Sequence, residues 1–146
     1  MALAVAVVLT SCGESSPSST SAPQPETKTV ALTEAPPFSA DSAYAFVERQ
    51  VAFGHRVPNS IGHQQCGDYL IDQLGSFGAT VSVQEARVTA YDGTKLDIRN
   101  IFGAFNPRQK RRILLYAHWD TRPYADKDTV RTREPIDGAN DGASGV

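Results

Sequence analysis

Apolar residues along this chain change their spacing twice, and each change predicts a new kind of element. From residue 39 onward Ala43, Tyr44, Val47 and Val51 recur at helical spacing, behind Ser39 or Asp41 as N-cap and ahead of Gly54. That pattern predicts an amphipathic helix with a stop. RVPNS then breaks the chain, and a second helix is predicted over 61–77, with Cys66, Leu70, Leu74 and Phe77 on one stripe and Gly78 just past its end. Next, TVSVQEARVTAY and KLDIRNIFGAF predict two strands joined through Asp92-Gly93, a strong hairpin signal. After Asn106-Pro107 comes the continuous apolar run ILLYAH, which predicts a strand buried on both faces. The order helix, helix, hairpin, buried strand predicts the start of an α/β domain over 38–146, with a mixed β-sheet sandwiched by helices.

The sequence ahead of the domain is of another kind. MALAVAVVL is too short to span a bilayer, and it runs into Leu9-Thr10-Ser11-Cys12. Small residues before a Cys predict a bacterial lipoprotein signal over 1–11, with lipid on Cys12; the alternative is a plain secretory signal with an incidental Cys. Residues 12–37 are rich in Ser, Thr and Pro and carry too little apolar surface to offset their ordering entropy, which predicts a disordered tether. Anchor and tether together predict a domain held at a membrane surface of the bacterial cell envelope.

Composition narrows the partners. Hydrophobic residues make up 40% and charged residues 21%, a globular balance. A net charge of −2 gives no electrostatic case for nucleic acid, and the basic knot RQKRR reads as a solvated turn between two apolar runs. Apart from Cys12 the chain holds only Cys66, so no internal disulfide is expected in the domain, and Cys66 reads as a small core residue.

The candidate chemistry lies at the end of ILLYAH. His118 and Asp120 are delivered at the carboxyl end of the predicted strand, where ligand sites of open α/β sheets collect. Residues two apart in extended chain point the same way, so Asp120 is placed to orient a metal-bound His118 ring. About twenty residues on, PIDGANDGASGV sets Asp137 and Asp141 among residues small enough to turn tightly around an ion. A calcium-loop reading of this stretch fails at Ala139, which stands where a ligand is required.

YAHWDTRP with PIDGANDGASGV resembles the zinc-dependent aminopeptidases and the glutaminyl cyclases that share their fold. FVERQVAFGHRVPNS, GDYLIDQLGSFGATV and DIRNIFGAF are also similar to this family, and the combination is nearest to bacterial glutaminyl-peptide cyclotransferase-like proteins. The resemblance implies that Asp141 is a metal ligand, bridging two zincs in the aminopeptidases, and that the Asp141–Gly142 peptide is cis. It implies that His118 ligates zinc in two-metal members, with Asp120 orienting it, whereas in single-zinc cyclases a His at this position need not ligate. Trp119 matches no ligand role and is expected to pack beside the pocket wall, and Arg122 pairs with Asp126 or Asp137. His55 and His63 match no ligand position.

The implied cofactor is Zn(2+), one or two ions. The implied substrates are peptide or protein N-termini: cyclisation of N-terminal Gln with release of ammonia, with aminopeptidase hydrolysis or a non-catalytic binding module as alternatives. The family's acid/base Glu, a ligand Glu and a final ligand His are expected after Val146. The chain is therefore read as the N-terminal piece of a longer protein, inactive and weak in zinc at this length.

Overall fold

The computed structural model describes residues 34–146, so the expectations for 1–11, for Cys12 and for most of the tether lie outside the described residues. Pro37–Val146 forms one compact unit. Its elements run α1 (Ala40–Val51), α2 (Ile61–Ser76), β1 (Thr80–Thr89), β2 (Lys95–Ala104) and a short 3-10 turn at Ala143–Gly145. No helix among the described residues is long and apolar enough to cross a membrane.

Local chemistry explains where the helices begin and end. Ser39, rather than Asp41, caps α1: its side chain accepts from the Ser42 amide, while Asp41 adds negative charge to the first turn. Ser60 caps α2 by accepting from the His63 amide. At the far end of α2, Gly78 takes φ +83°, its amide donates to Gly75 O, and the Ala79 amide donates to Leu74 O at 3.1 Å. These two bonds close a Schellman motif, which only a residue free of a Cβ penalty completes cheaply.

β1 and β2 pair antiparallel in unbroken register from Thr80↔Ala104 to Thr89↔Lys95. Gly93 turns the hairpin at φ +88°, and the Asp92 carboxylate accepts from the Thr94 amide. Cross-strand partners Arg87 and Asp97 form a two-pronged ion pair at 2.6 and 2.9 Å. Helix α2 lies against this hairpin. Gly103 makes the approach possible, since a Cβ there would fall 2.9 Å from Leu74 Cδ2. Arg99 on β2 ties the layers together by pairing with Asp68 of α2 and Glu85 of β1. Asn59, in the RVPNS break, docks on the strand edge by donating to Lys95 O and accepting from the Asp97 amide.

The core is small: Cys66, Leu70 and Trp119 are buried, with Phe53, Tyr69 and Ile101 packed around them. Of the predicted α2 stripe, Cys66 and Leu70 lie in this core, while Phe77 is left exposed. One expected element does not form. ILLYAH is neither strand nor buried, and Ile113, Leu114, Leu115 and Tyr116 are 79–93% exposed. A strand buried on both faces needs paired neighbours and covering layers. The sheet among the described residues is two-stranded, and neither of its strands takes ILLYAH as a partner.

Candidate functional site

Trp119 anchors the first half of the site. Its ring is 8% exposed and stacks on His63, centroids 4.1 Å apart and planes 17° apart. Gly67 leaves room for it, because a Cβ there would come within 3.0 Å of Trp119 Cη2. With Trp119 drawn into the core, its neighbours His118 and Asp120 stay half exposed, at 57% and 46% of their side chains.

The second half is the loop that follows Asp137. Gly138 and Gly142 take φ +61° and +111°, conformations that disfavour any side chain. The Ala143 amide donates to Gly138 O at 3.1 Å and the Ser144 amide to Ala139 O at 3.0 Å, curling the loop back on itself. Asp141 stands at the turn.

The two halves meet. His118 Nε2 lies 3.2 Å from Asp141 Oδ1. His118 Nδ1 lies 3.1 Å from the Asp120 backbone carbonyl and 3.5 Å from its carboxylate. The nearer orienting partner is thus the Asp120 carbonyl, with the carboxylate behind it. With Nδ1 donating to that carbonyl, Nε2 of the neutral ring presents a lone pair to a carboxylate oxygen. Two acceptors in contact repel unless a proton or a cation lies between them. An imidazole nitrogen and a carboxylate converging at half-exposed positions are zinc-type donors, so His118 and Asp141 fit a metal as part of its ligand set. Among the described residues no cluster of three or more such groups occurs.

Charge around the pair is ordered as well. Arg122 pairs with Asp126 and reaches Asp141 Oδ2 at 3.4 Å. Asp137, the other acid open to Arg122 from sequence, instead faces His55 Nδ1 at 3.5 Å. His63 is buried against Trp119 and holds its pKa below the usual value, mainly through loss of solvent. The expected cis peptide is not present: every described peptide bond is trans, Asp141–Gly142 included. A non-proline cis bond costs several kcal/mol and persists only where its surroundings enforce it, and this loop leaves Asp141 open to solvent.

Two residues that sequence reasoning passed over hold the halves together. Arg56, fully buried, donates from Nε to Trp119 O and from Nη2 to Gly138 O, both at 2.9 Å, and from Nη1 to Gln50 O and Gly54 O. Gln50, 1% exposed, donates to Ala143 O at 3.0 Å. The signals available in sequence were a charged residue inside the quoted FGHRVPNS stretch and a Gln in the last turn of an amphipathic helix. Neither marks burial.

A model of peptidase family M28 matches residues 100–146, the span that holds His118, Asp120 and Asp141. The chain is similar over 75% of its length to the glutaminyl cyclase of Tannerella forsythia, with 62% identity and a TM-score of 0.73. It is similar over 75% of its length to a Zn-dependent exopeptidase from Parabacteroides distasonis, at 60% identity and TM-score 0.72. It is similar over 78% of its length to a leucine aminopeptidase precursor from Bacteroides thetaiotaomicron, at 54% identity and TM-score 0.75. In each case the chain spans about two fifths of the solved protein, 38%, 38% and 40%. Motifs, geometry and likeness agree: residues 100–146 match peptidase family M28, and the chain is similar to zinc-dependent exopeptidases and glutaminyl cyclases.

Proposed function

We propose that the protein is a zinc enzyme acting on peptide N-termini, and that its reaction is glutaminyl-peptide cyclisation. The observation that carries this reading is the approach of His118 Nε2 to Asp141 Oδ1 at 3.2 Å in a chain 62% identical to a glutaminyl cyclase. His118 and Asp141 would hold the metal. Zinc, when bound, polarises a carbonyl oxygen or activates water. The chain's own residues prepare for it. The Asp120 carbonyl, accepting from His118 Nδ1, would fix which ring nitrogen keeps its lone pair. Arg122 holds the far oxygen of Asp141 and turns the near one toward the ring.

In the cyclisation the α-amine of an N-terminal Gln attacks its own γ-carbonyl carbon. A C–N bond forms, the bond to the side-chain nitrogen breaks, and a proton passes from the amine to departing ammonia. The second reading is aminopeptidase action, in which water attacks the first peptide carbonyl. It is favoured by the likeness to a Zn-dependent exopeptidase at 60% identity.

The product of the complete reading frame, loaded with one or two zinc ions, separates the two. Release of ammonia from Gln-peptides without free N-terminal residues is the expected result. Free amino acids without ammonia would establish the peptidase, and neither product would leave a binding module.

The membrane reading is part of the same proposal. Cys12 carries the lipid, the segment after it acts as a tether, and the enzyme sits at the cell envelope. Support comes from the apolar run and small-residue site ahead of Cys12. Detergent-phase partitioning that is lost in Cys12→Ser is the expected behaviour, and unchanged partitioning would refute the anchor.

A further inference from the structure

Arg56 occupies an unusual position for a cation. It is fully buried, and among the described residues no carboxylate lies within ion-pair distance of it. Its charge is met instead by backbone carbonyls from four places in the chain: Gln50, Gly54, Trp119 and Gly138. Its own carbonyl accepts from the Thr121 amide at 3.1 Å. A buried cation is costly unless its hydrogen bonds are met, and the planar guanidinium presents five donors in a fixed fork, which a lysine does not.

The carbonyls it takes are informative. Trp119 lies between His118 and Asp120. Gly138 opens the loop that ends by returning the Ala143 amide to the same Gly138 carbonyl. Gln50 closes the other end of that loop at Ala143 O, and its own carbonyl is held by Arg56 Nη1. One side chain therefore fixes the distance between the His118 segment and the Asp141 loop. We propose that Arg56 is a positioning residue for the metal site, acting through Trp119 and Gly138 to hold His118 and Asp141 face to face, with Gln50 as its partner at the far end of the loop. The inference rests on the zinc reading for its consequence and on geometry alone for the clamp itself.

The test uses the full-length protein and three variants: Arg56→Met, Arg56→Lys and Gln50→Met. It reads amide hydrogen exchange and zinc affinity. Arg56→Met should speed exchange at Ala143 tenfold or more, while Ala79 at the end of α2 and the hairpin amides keep their protection. Zinc affinity should fall about 10- to 100-fold, as for loss of other outer supports of metal ligands. Arg56→Lys should recover part of both effects because its ammonium returns a charged donor group, though without the planar fork that reaches all four carbonyls. A packing role alone predicts the opposite order, since Met fills the space and carries no charge to bury. If Arg56→Met loses protection throughout, the lysine variant and Gln50→Met decide: exchange raised in 138–144 above the hairpin supports the clamp. Parent-like exchange at Ala143 in the folded variants overturns it. A parent protein that binds no zinc defeats the functional reading and leaves the exchange result to judge the clamp.

Discussion

The Nε2 of His118 and the Oδ1 of Asp141 stand 3.2 Å apart, and the tautomer that donates from Nδ1 to the Asp120 carbonyl at 3.1 Å leaves Nε2 without a proton. The contact is therefore between two electron-pair donors, and it is favourable only with positive charge between them. A bound zinc ion would supply that charge. His118→Ala and Asp141→Asn should each weaken zinc binding by more than the 10- to 100-fold typical of outer partners. Asp120→Asn should cost about tenfold or less, since the backbone carbonyl is the nearer partner of Nδ1 and survives the change. Competition against a chelator of known affinity measures all three. An Asp120→Asn loss equal to that of His118→Ala would show that the carboxylate, not the carbonyl, sets the ring.

Gly138 is the point where the loop has no room to spare. An added Cβ would overlap Thr121 Cγ2, lie 2.7 Å from Asp141 O and stand 2.9 Å from Arg56 Nη2, at a φ of +61°. Gly138→Ala combines a left-handed backbone with overpacking, so a loss on the order of 2–4 kcal/mol is expected. Gly145→Ala meets only Ala117 Cβ at 3.2 Å, with no positive φ, and should cost much less. Urea denaturation of the two variants compares them, and equal midpoints would refute this account of the loop.

Sequence reading succeeded where a residue's chemistry is local. Ser39 and Gly78 act on atoms within five residues of themselves, and Asp92-Gly93 turns its own hairpin, so these elements follow from short windows. The candidate residues His118, Asp120 and Asp141 were singled out because their types and spacing resemble a known motif, and the fold places them within 3.5 Å of one another through the His118 ring. The reading fails where a residue acts at a distance. Arg56 reaches 63 and 82 positions along the chain, and Gln50 reaches 93. Nothing in a helical wheel or a charge count distinguishes such a residue from a solvated one. ILLYAH fails for a related reason: its apolar character is compatible with a strand, but a strand is made by its neighbours.

Cys66 should be chemically silent in the folded protein. It is fully buried in the core, and burial pushes its thiol from 9.0 up to about 11. Near pH 8 a rise of two pH units lowers the thiolate fraction about 100-fold, before access is considered. In a Cys12→Ser background, a thiol reagent at pH 8 should label Cys66 only at the rate of unfolding. Because the folded value lies above the unfolded one, this group contributes its full stability below about pH 9, and that contribution is lost as pH rises toward about 11. Fast labelling under native conditions would show that the Cys66–Leu70–Trp119 core opens.

His63 gives the core the opposite dependence on pH. Burial is the main reason its pKa lies below the usual 6.5, with Arg99 acting in the same direction and Asp120 against it. A neutral ring is therefore preferred in the folded state. The stability it supplies is complete above about pH 6.5 and falls as pH drops from there toward the lower folded value. Asp92, Asp97 and Asp128 have carboxyls held below their usual 3.8 by hydrogen bonds, so their contributions are lost only in more acidic solution. The window between pH 8 and pH 5 thus isolates His63 from them. Urea midpoints followed by the fluorescence of Trp119, the chain's one tryptophan, should fall across that window in the parent protein. They should fall less in His63→Phe, which keeps a ring against Trp119 but cannot take a proton. An equal fall in both proteins would assign the acid sensitivity to other groups and remove His63 from the account.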